Sequence, residues 1–184
     1  REFLRCAVHY RKNIVVSGST NSGKTTFLNT LLREVPSEER LLTIEDVREL
    51  RASVPNAAHL LASKGGQGVA KVTIQDLLEA CLRLRPDRII LGELRGAEAS
   101  SFLHAVNSGH PGSLTSVHAD SPALAFERLA LMVMQGNVAL SREQILAYLR
   151  GVVDIVIQVR KIGGRRRVSG VYYKYMPQTE LAGE

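Results

Sequence analysis

Short apolar runs alternate with stretches of helical periodicity along most of the chain, which predicts an α/β fold with a mostly parallel sheet flanked by helices. Residues 13–17 read as a first strand and 24–33 as the helix that follows it. Residues 41–45 form a second strand after the polar turn Pro36-Ser-Glu-Glu39. Between 54 and 71 the pattern dissolves around Pro55, Asn56 and Gly65-Gly-Gln-Gly68, so a long mobile loop is expected there. Thr73-Ile-Gln-Asp76 has the form of a capping box with Asp in the Glu place, and it opens a helix to about Leu84 that Pro86 stops. Residues 88–91 are a compact apolar strand leading to Gly92-Glu93, and 97–108 a helix with Gly109 at its C-terminal end. Residues 113–117 make another strand, ending at His118. Ser121 and Pro122 start a helix to about Gln135, because the serine oxygen caps a first-turn amide and proline lacks an N–H that the first turn would leave unpaired. Ser141-Arg-Glu-Gln144 is a second capping box. The tail from 154 to 175 alternates β-branched residues around Gly163-Gly164 and reads as a β-hairpin.

Length adds that 184 residues suit one domain with a real core, since a chain of this size buries roughly 70% of its unfolded surface. No apolar run approaches the ~18 residues of a membrane span. Residues 1–10 resemble the end of a helix rather than a signal peptide. Cys6 and Cys81 lie far apart, match no metal spacing, and read as buried free thiols of a reducing compartment. The net charge of +6 favours acidic partners such as nucleotides, nucleic acid or anionic lipid without choosing among them.

The chemistry concentrates first in Gly18-Ser19-Thr20-Asn21-Ser22-Gly23-Lys24-Thr25, which fits the G-x-x-x-x-G-K-[ST] phosphate loop in spacing and in its place between strand and helix. Backbone amides of such a turn close around a β-phosphate, helped by the dipole of the next helix, which Thr26 continues. Lys24 would reach the β- and γ-phosphates, and Thr25 would place its hydroxyl on Mg²⁺. Parallel sheets gather ligands at the carboxyl ends of their strands, where Glu45, Asp46, Glu93 and His118 all fall. Hydrolysis of a magnesium nucleotide needs one carboxylate for metal-bound water and one to orient or deprotonate the attacking water. Glu93 suits either job and Glu45 the other; sequence leaves open which does which. His118 reads equally as a structural histidine or as a group hydrogen-bonding a γ-phosphate oxygen.

Taken in order, GSTNSGKTT, TIEDVREL, RPDRIILGELRGAEA and GHPGSLTSVHADSP resemble the phosphate loop, acidic box, Walker B region and histidine box of the RecA-like motor domain of bacterial secretion and traffic ATPases. The resemblance is strongest to the hexameric ATPases of type IV secretion and conjugation systems, and it runs from about residue 1 to about 175. It implies a RecA-like P-loop domain over 1–184, without the N-terminal domain that family members carry and that helps hold base and ribose. It implies ATP and Mg²⁺ as cofactors, Lys24, Glu45, Glu93 and His118 in catalysis, and Arg83 or Arg85 as phosphate-neutralising arginines within or across subunits. It further implies a homo-oligomeric, six-fold ring in the cytoplasm at the cytoplasmic face of the inner membrane, with inner-membrane secretion components as partners and nucleic acid only as cargo or a weak contact. A type II secretion or pilus motor shares the boxes, but the assembly ATPases of that group usually add a four-cysteine zinc module and this chain has two cysteines. A RecA-type DNA-binding ATPase would use Arg160-Lys161 and Arg165-Arg-Arg167 on phosphates, although a charged hairpin tip without interleaved aromatics reads better as a solvated turn.

Overall fold

A computed structural model describes residues 1–63, 71–136 and 138–176. In chain order its elements are α1 (Glu2–His9), β1 (Ile14–Ser17), α2 (Lys24–Leu32), β2 (Leu41–Glu45), β3 (Ala57–Leu61), α3 (Ile74–Cys81), β4 (Arg88–Leu94), α4 (Glu98–Asn107), β5 (Leu114–Val117), α5 (Pro122–Gln135), α6 (Arg142–Val152), β6 (Ile155–Ile162) and β7 (Arg165–Tyr173). The strands form one seven-stranded sheet in the order β3-β2-β4-β5-β1-β6-β7. All pairings are parallel except β6 with β7, which is the antiparallel hairpin expected from the tail.

Apolar runs make the central strands because both sheet faces are covered. Along β1, Val15 enters the core beneath α3 to α6, while Ile14 and Val16 enter the opposite core beneath α1 and α2. In β4 the same two-residue alternation sends Ile89 and Leu91 to one core and Ile90 to the other. The caps are built as the sequence indicates. Thr73 and Asp76 close a reciprocal capping box on α3, Ser141 and Gln144 another on α6, and the Ser121 side chain accepts from the Leu124 amide ahead of Pro122.

Two expectations need correction. The segment expected as a loop over 54–71 contains β3, an edge strand pairing in parallel with β2 from Leu41↔Ala57 to Glu45↔Leu61. Ala57-Ala-His-Leu-Leu61 has no β-branched residue, so its strand state comes from pairing, reinforced by a 2.8 Å hydrogen bond between Thr43 Oγ1 and His59 Nδ1. The Gly65-Gly-Gln-Gly68 part of that expectation lies outside the described residues. Cys6 is exposed, because it sits on the outer face of α1; only Cys81 is buried, and burial pushes its thiol up to about 11.

At the amino edge of the sheet Arg88 is fully buried at the start of β4. Its guanidinium clasps the Glu39 carboxylate through Nε and through Nη2, the latter at 2.9 Å. Arg11 approaches the same carboxylate at 3.3 Å. Gly112, at φ +82°, leaves the space Arg88 needs, since a Cβ there would stand 2.7 Å from Nη1.

Candidate functional site

β1 lies between β5 and β6, so the turn leaving it emerges at the middle of the carboxyl edge of the sheet. That turn wraps tightly. A Cβ on Gly18 would stand 2.6 Å from the Val159 carbonyl oxygen and would collide with Ser22 Oγ, and Gly23 takes φ +99° as the N-cap of α2. Glycine meets both demands because it has no Cβ. Among the described residues no side chain caps α2, which leaves its first-turn amides as donors. Ser22 Oγ is buried without a hydrogen-bond partner among the described residues.

Above this turn opens a cleft of about 550 Å³, within the usual size of a small-ligand site. Ser19, Thr20, Asn21, Ser22, Gly23, Lys24, Thr25 and Thr26 form one wall, and Glu45, Asp46, Glu93 and His118 stand across from it. The sheet brings them together because β2, β4 and β5 run parallel to β1 and end at the same edge. Lys24 Nζ donates to the Gly18 carbonyl at 2.9 Å and the Ser19 carbonyl at 3.3 Å, and lies 3.6 Å from Glu93 Oε1.

The two glutamates are held differently. Glu45 is 4% exposed, and its Oε1 accepts from the amides of Glu49 at 2.9 Å and Leu50 at 2.8 Å. Its Oε2 has no partner among the described residues. Gly92 passes close to it, with 3.3 Å between a Cβ placed there and Glu45 Cγ. Glu93 lies inside β4, which runs on to Leu94 and is longer than the expected 88–91 strand. Both its oxygens face cations: Lys24, and the Arg95 Nε at 2.7 Å. Arg95 also meets Asp46 at 2.5 Å, and its pKa is raised by the Glu93 hydrogen bond first and then by the charges of Glu93, Asp46 and Glu98.

Arg83 and Arg85 are not brought to the cleft. They are exposed in the turn before β4, beside the Leu84 carbonyl that accepts from Arg40 at 2.9 Å ahead of β2, hence at the opposite edge of the sheet. The basic hairpin tip is exposed, as its reading as a solvated turn expects, but two of its arginines have specific neighbours: Arg166 lines the cleft, and Arg160 donates to the Asp120 carbonyl. Sequence reasoning missed Arg166 and Arg95 as site residues. For Arg95 the signal was there, two residues beyond Glu93; for Arg166 only the hairpin pairing could have supplied it.

The donor set suits a polyphosphate: an uncapped helix N-terminus, a lysine, a hydroxyl at Thr25, and a Glu93 carboxylate held 2.7 Å from Arg95 and 3.6 Å from Lys24. Among the described residues no three His, Cys, Asp or Glu side chains cluster with metal-ligand spacing. A magnesium ion here would therefore depend on Thr25, water and phosphate oxygens, as Mg²⁺ commonly does.

Comparison with known proteins agrees with this geometry. The family model described as Type II/IV secretion system protein matches residues 1–165. The type IV secretion system protein VirB11 of Bartonella henselae is 44% identical over 183 residues, covering 98% of this chain and 51% of its own length. The type IV secretion system protein PtlH of Bordetella pertussis is 46% identical over 180 residues, 94% of this chain and 53% of its own. Among solved structures, the VirB11 ATPase of the Brucella suis type IV secretion system, crystallised with sulphate, superposes with a TM-score of 0.86 at 47% identity, over 94% of this chain and 51% of that one. The chain thus spans about half the length of the curated relatives it matches.

Proposed function

Because the chain belongs to the Type II/IV secretion system protein family, we propose that it is the RecA-like motor region of a type IV secretion or conjugation ATPase, in which ATP hydrolysis powers substrate transfer or assembly of the apparatus. The observation that carries this reading is the convergence of the 18–25 turn with Glu45, Glu93 and His118 on a single cleft. Relatives named as type IV secretion proteins at 44% and 46% identity support the type IV reading over a type II or pilus motor.

In this reading the amides of the turn and of the first turn of α2 bind the β-phosphate, and Lys24 leaves its loop carbonyls to bridge the β- and γ-phosphates. Mg²⁺ would supply charge neutralisation on the phosphates, held by the Thr25 hydroxyl and, through water, by Glu93. Glu45 is better placed as the acceptor for the attacking water. One of its oxygens is fixed by two amides and the other is free, whereas both Glu93 oxygens already face cations. A carboxylate fixed through one oxygen, with the other buried and unpaired beside the cleft, has an acceptor to spare for orienting or deprotonating a nucleophile that enters there. In the full-length protein, Glu45→Gln is expected to slow single-turnover ATP cleavage by about 10²–10³-fold while changing ATP affinity only a few-fold. Cleavage at the parental rate would remove Glu45 from this role.

His118 is exposed at the carboxyl end of β5 and lines the cleft. There it hydrogen-bonds a γ-phosphate oxygen and loses that partner on hydrolysis, releasing the segment that follows it to act on neighbouring subunits. His118→Ala should lower kcat about tenfold or more with ATP affinity nearly unchanged. An equal loss of binding would assign the residue to binding instead. The working form in this proposal is a six-fold homo-oligomeric ring in the cytoplasm, peripheral to the inner membrane and docked on membrane components of the secretion system, with nucleic acid met only as cargo. Among the described residues no helix is long and apolar enough to cross a membrane. Arg83 and Arg85, at the far edge of the sheet, would reach a nucleotide only across a subunit boundary.

A further inference from the structure

We propose that Arg166 is a nucleotide-contacting residue, delivered from the β6–β7 hairpin of the same chain to the α- and β-phosphate end of the ligand. The proposal rests on the reading that the 18–25 turn binds a nucleoside triphosphate. β6 lies parallel to β1 with Ser17 opposite Gln158, yet β6 continues to Ile162 and β7 returns from Arg165. The hairpin therefore runs past the carboxyl edge of the sheet and along the phosphate loop. It touches the loop at both ends. The Val159 carbonyl packs on Gly18, and the Arg166 side chain packs on Gly23, where a Cβ would stand 2.5 Å from its Cδ and 3.0 Å from its Nε. Strand alternation turns Arg165 and Arg167 to the other face, so one arginine of the three lines the cleft.

Charge and topology then decide what that arginine does. Arg95 is engaged by Glu93 and Asp46, and Lys24 stands 3.6 Å from Glu93. Among the described residues Arg166 forms no ion pair, so its charge is uncommitted at a mouth otherwise rich in carboxylates. In the sheet, β5, β4 and β2 lie on one side of β1, and the hairpin lies on the other. The γ-phosphate must face the carboxylates and His118 for water to attack it in line. The α- and β-phosphates then extend toward the hairpin, where a planar guanidinium matches phosphate oxygens.

The test is calorimetric titration of the full-length protein with Mg-ADP and with a non-hydrolysable Mg-ATP analogue. Arg166→Ala should weaken both ligands by the same factor, about tenfold, because both carry α- and β-phosphates. Arg166→Lys should keep most of the affinity through its point charge, and thermal unfolding without nucleotide should be alike in all three proteins. ADP affinity within twofold of the parent in Arg166→Ala, a loss confined to the ATP analogue, or equal losses in the Ala and Lys variants would each overturn the proposal. The underlying reading is tested separately: if the parent binds and Lys24→Ala does not, nucleotide binding stands whatever Arg166 does, whereas a parent that binds neither ligand ends both.

Discussion

Replacing Lys24 with Ala is expected to reduce ATP hydrolysis by the full-length protein at least 10²–10³-fold, the scale of losing one preorganised charge contact to the transition state. The side chain is only 11% exposed, and its ammonium sits among the Gly18 and Ser19 carbonyls and the Glu93 carboxylate. In the proposed function it leaves those oxygens for the β- and γ-phosphates, where charge develops as the γ-phosphoryl group departs. Without it, Glu93 would keep only Arg95 as a cation, so that in the proposed function repulsion between Glu93 and the phosphates is added to the lost attraction. The fold should not suffer. Lys24 opens α2, alanine is the strongest helix former, and the one ion pair that Lys24 makes among the described residues, with the partly exposed Glu93 at 3.6 Å, lies in the cleft rather than in the apolar core. Steady-state phosphate release with thermal unfolding as the control measures both halves, and hydrolysis at the parental rate in a well-folded variant would refute the site.

The largest stability effect is expected far from the cleft. Arg88→Met should destabilise the domain by about 3–5 kcal/mol, the usual cost of stripping one partner from a buried ion pair. Arg88 has no exposure and Glu39 has 5%, so Glu39 would be left with Arg11 at 3.3 Å as its remaining cation. In a chain of 184 residues that corresponds to a fall of about 10 °C in Tm. Adding Glu39→Leu should recover much of the loss, because apolar replacement of a whole buried pair is often close to neutral. Denaturant unfolding of the two variants gives the comparison; equal destabilisation in both would mean that the cost comes from packing rather than from an orphaned charge.

Local signals made most of the architecture readable. The phosphate loop is contiguous, so its residues needed no tertiary information. Glu45 and His118 were recognisable as strand-end groups because parallel strands share one carboxyl edge, and Glu93 because it follows an apolar run, even though β4 extends past it. The capping boxes at Thr73 and Ser141 were equally plain, since each is a bond between residues three apart. β3 was not readable, because Ala57-Ala-His-Leu-Leu61 carries weak strand preference and takes its form from β2. The exposure of Cys6 was hidden for a related reason: which face of α1 turns outward depends on what packs beneath it.

By itself, then, the sequence determined the alternation of strand and helix, the glycine-bounded turn at 18–25 with the spacing of a phosphate loop, and the acids and histidine at or near strand ends, since each depends on neighbours a few positions away. The tertiary structure decided the order of the strands, and with it which side of β1 carries the carboxylates and which the hairpin. It also decided that Arg88 would meet Glu39, that Arg83 and Arg85 would face away from the cleft, and that Arg166 would lie against Gly23. These pairings join residues tens to more than a hundred positions apart, and no periodicity or propensity encodes them; sheet order and close packing do.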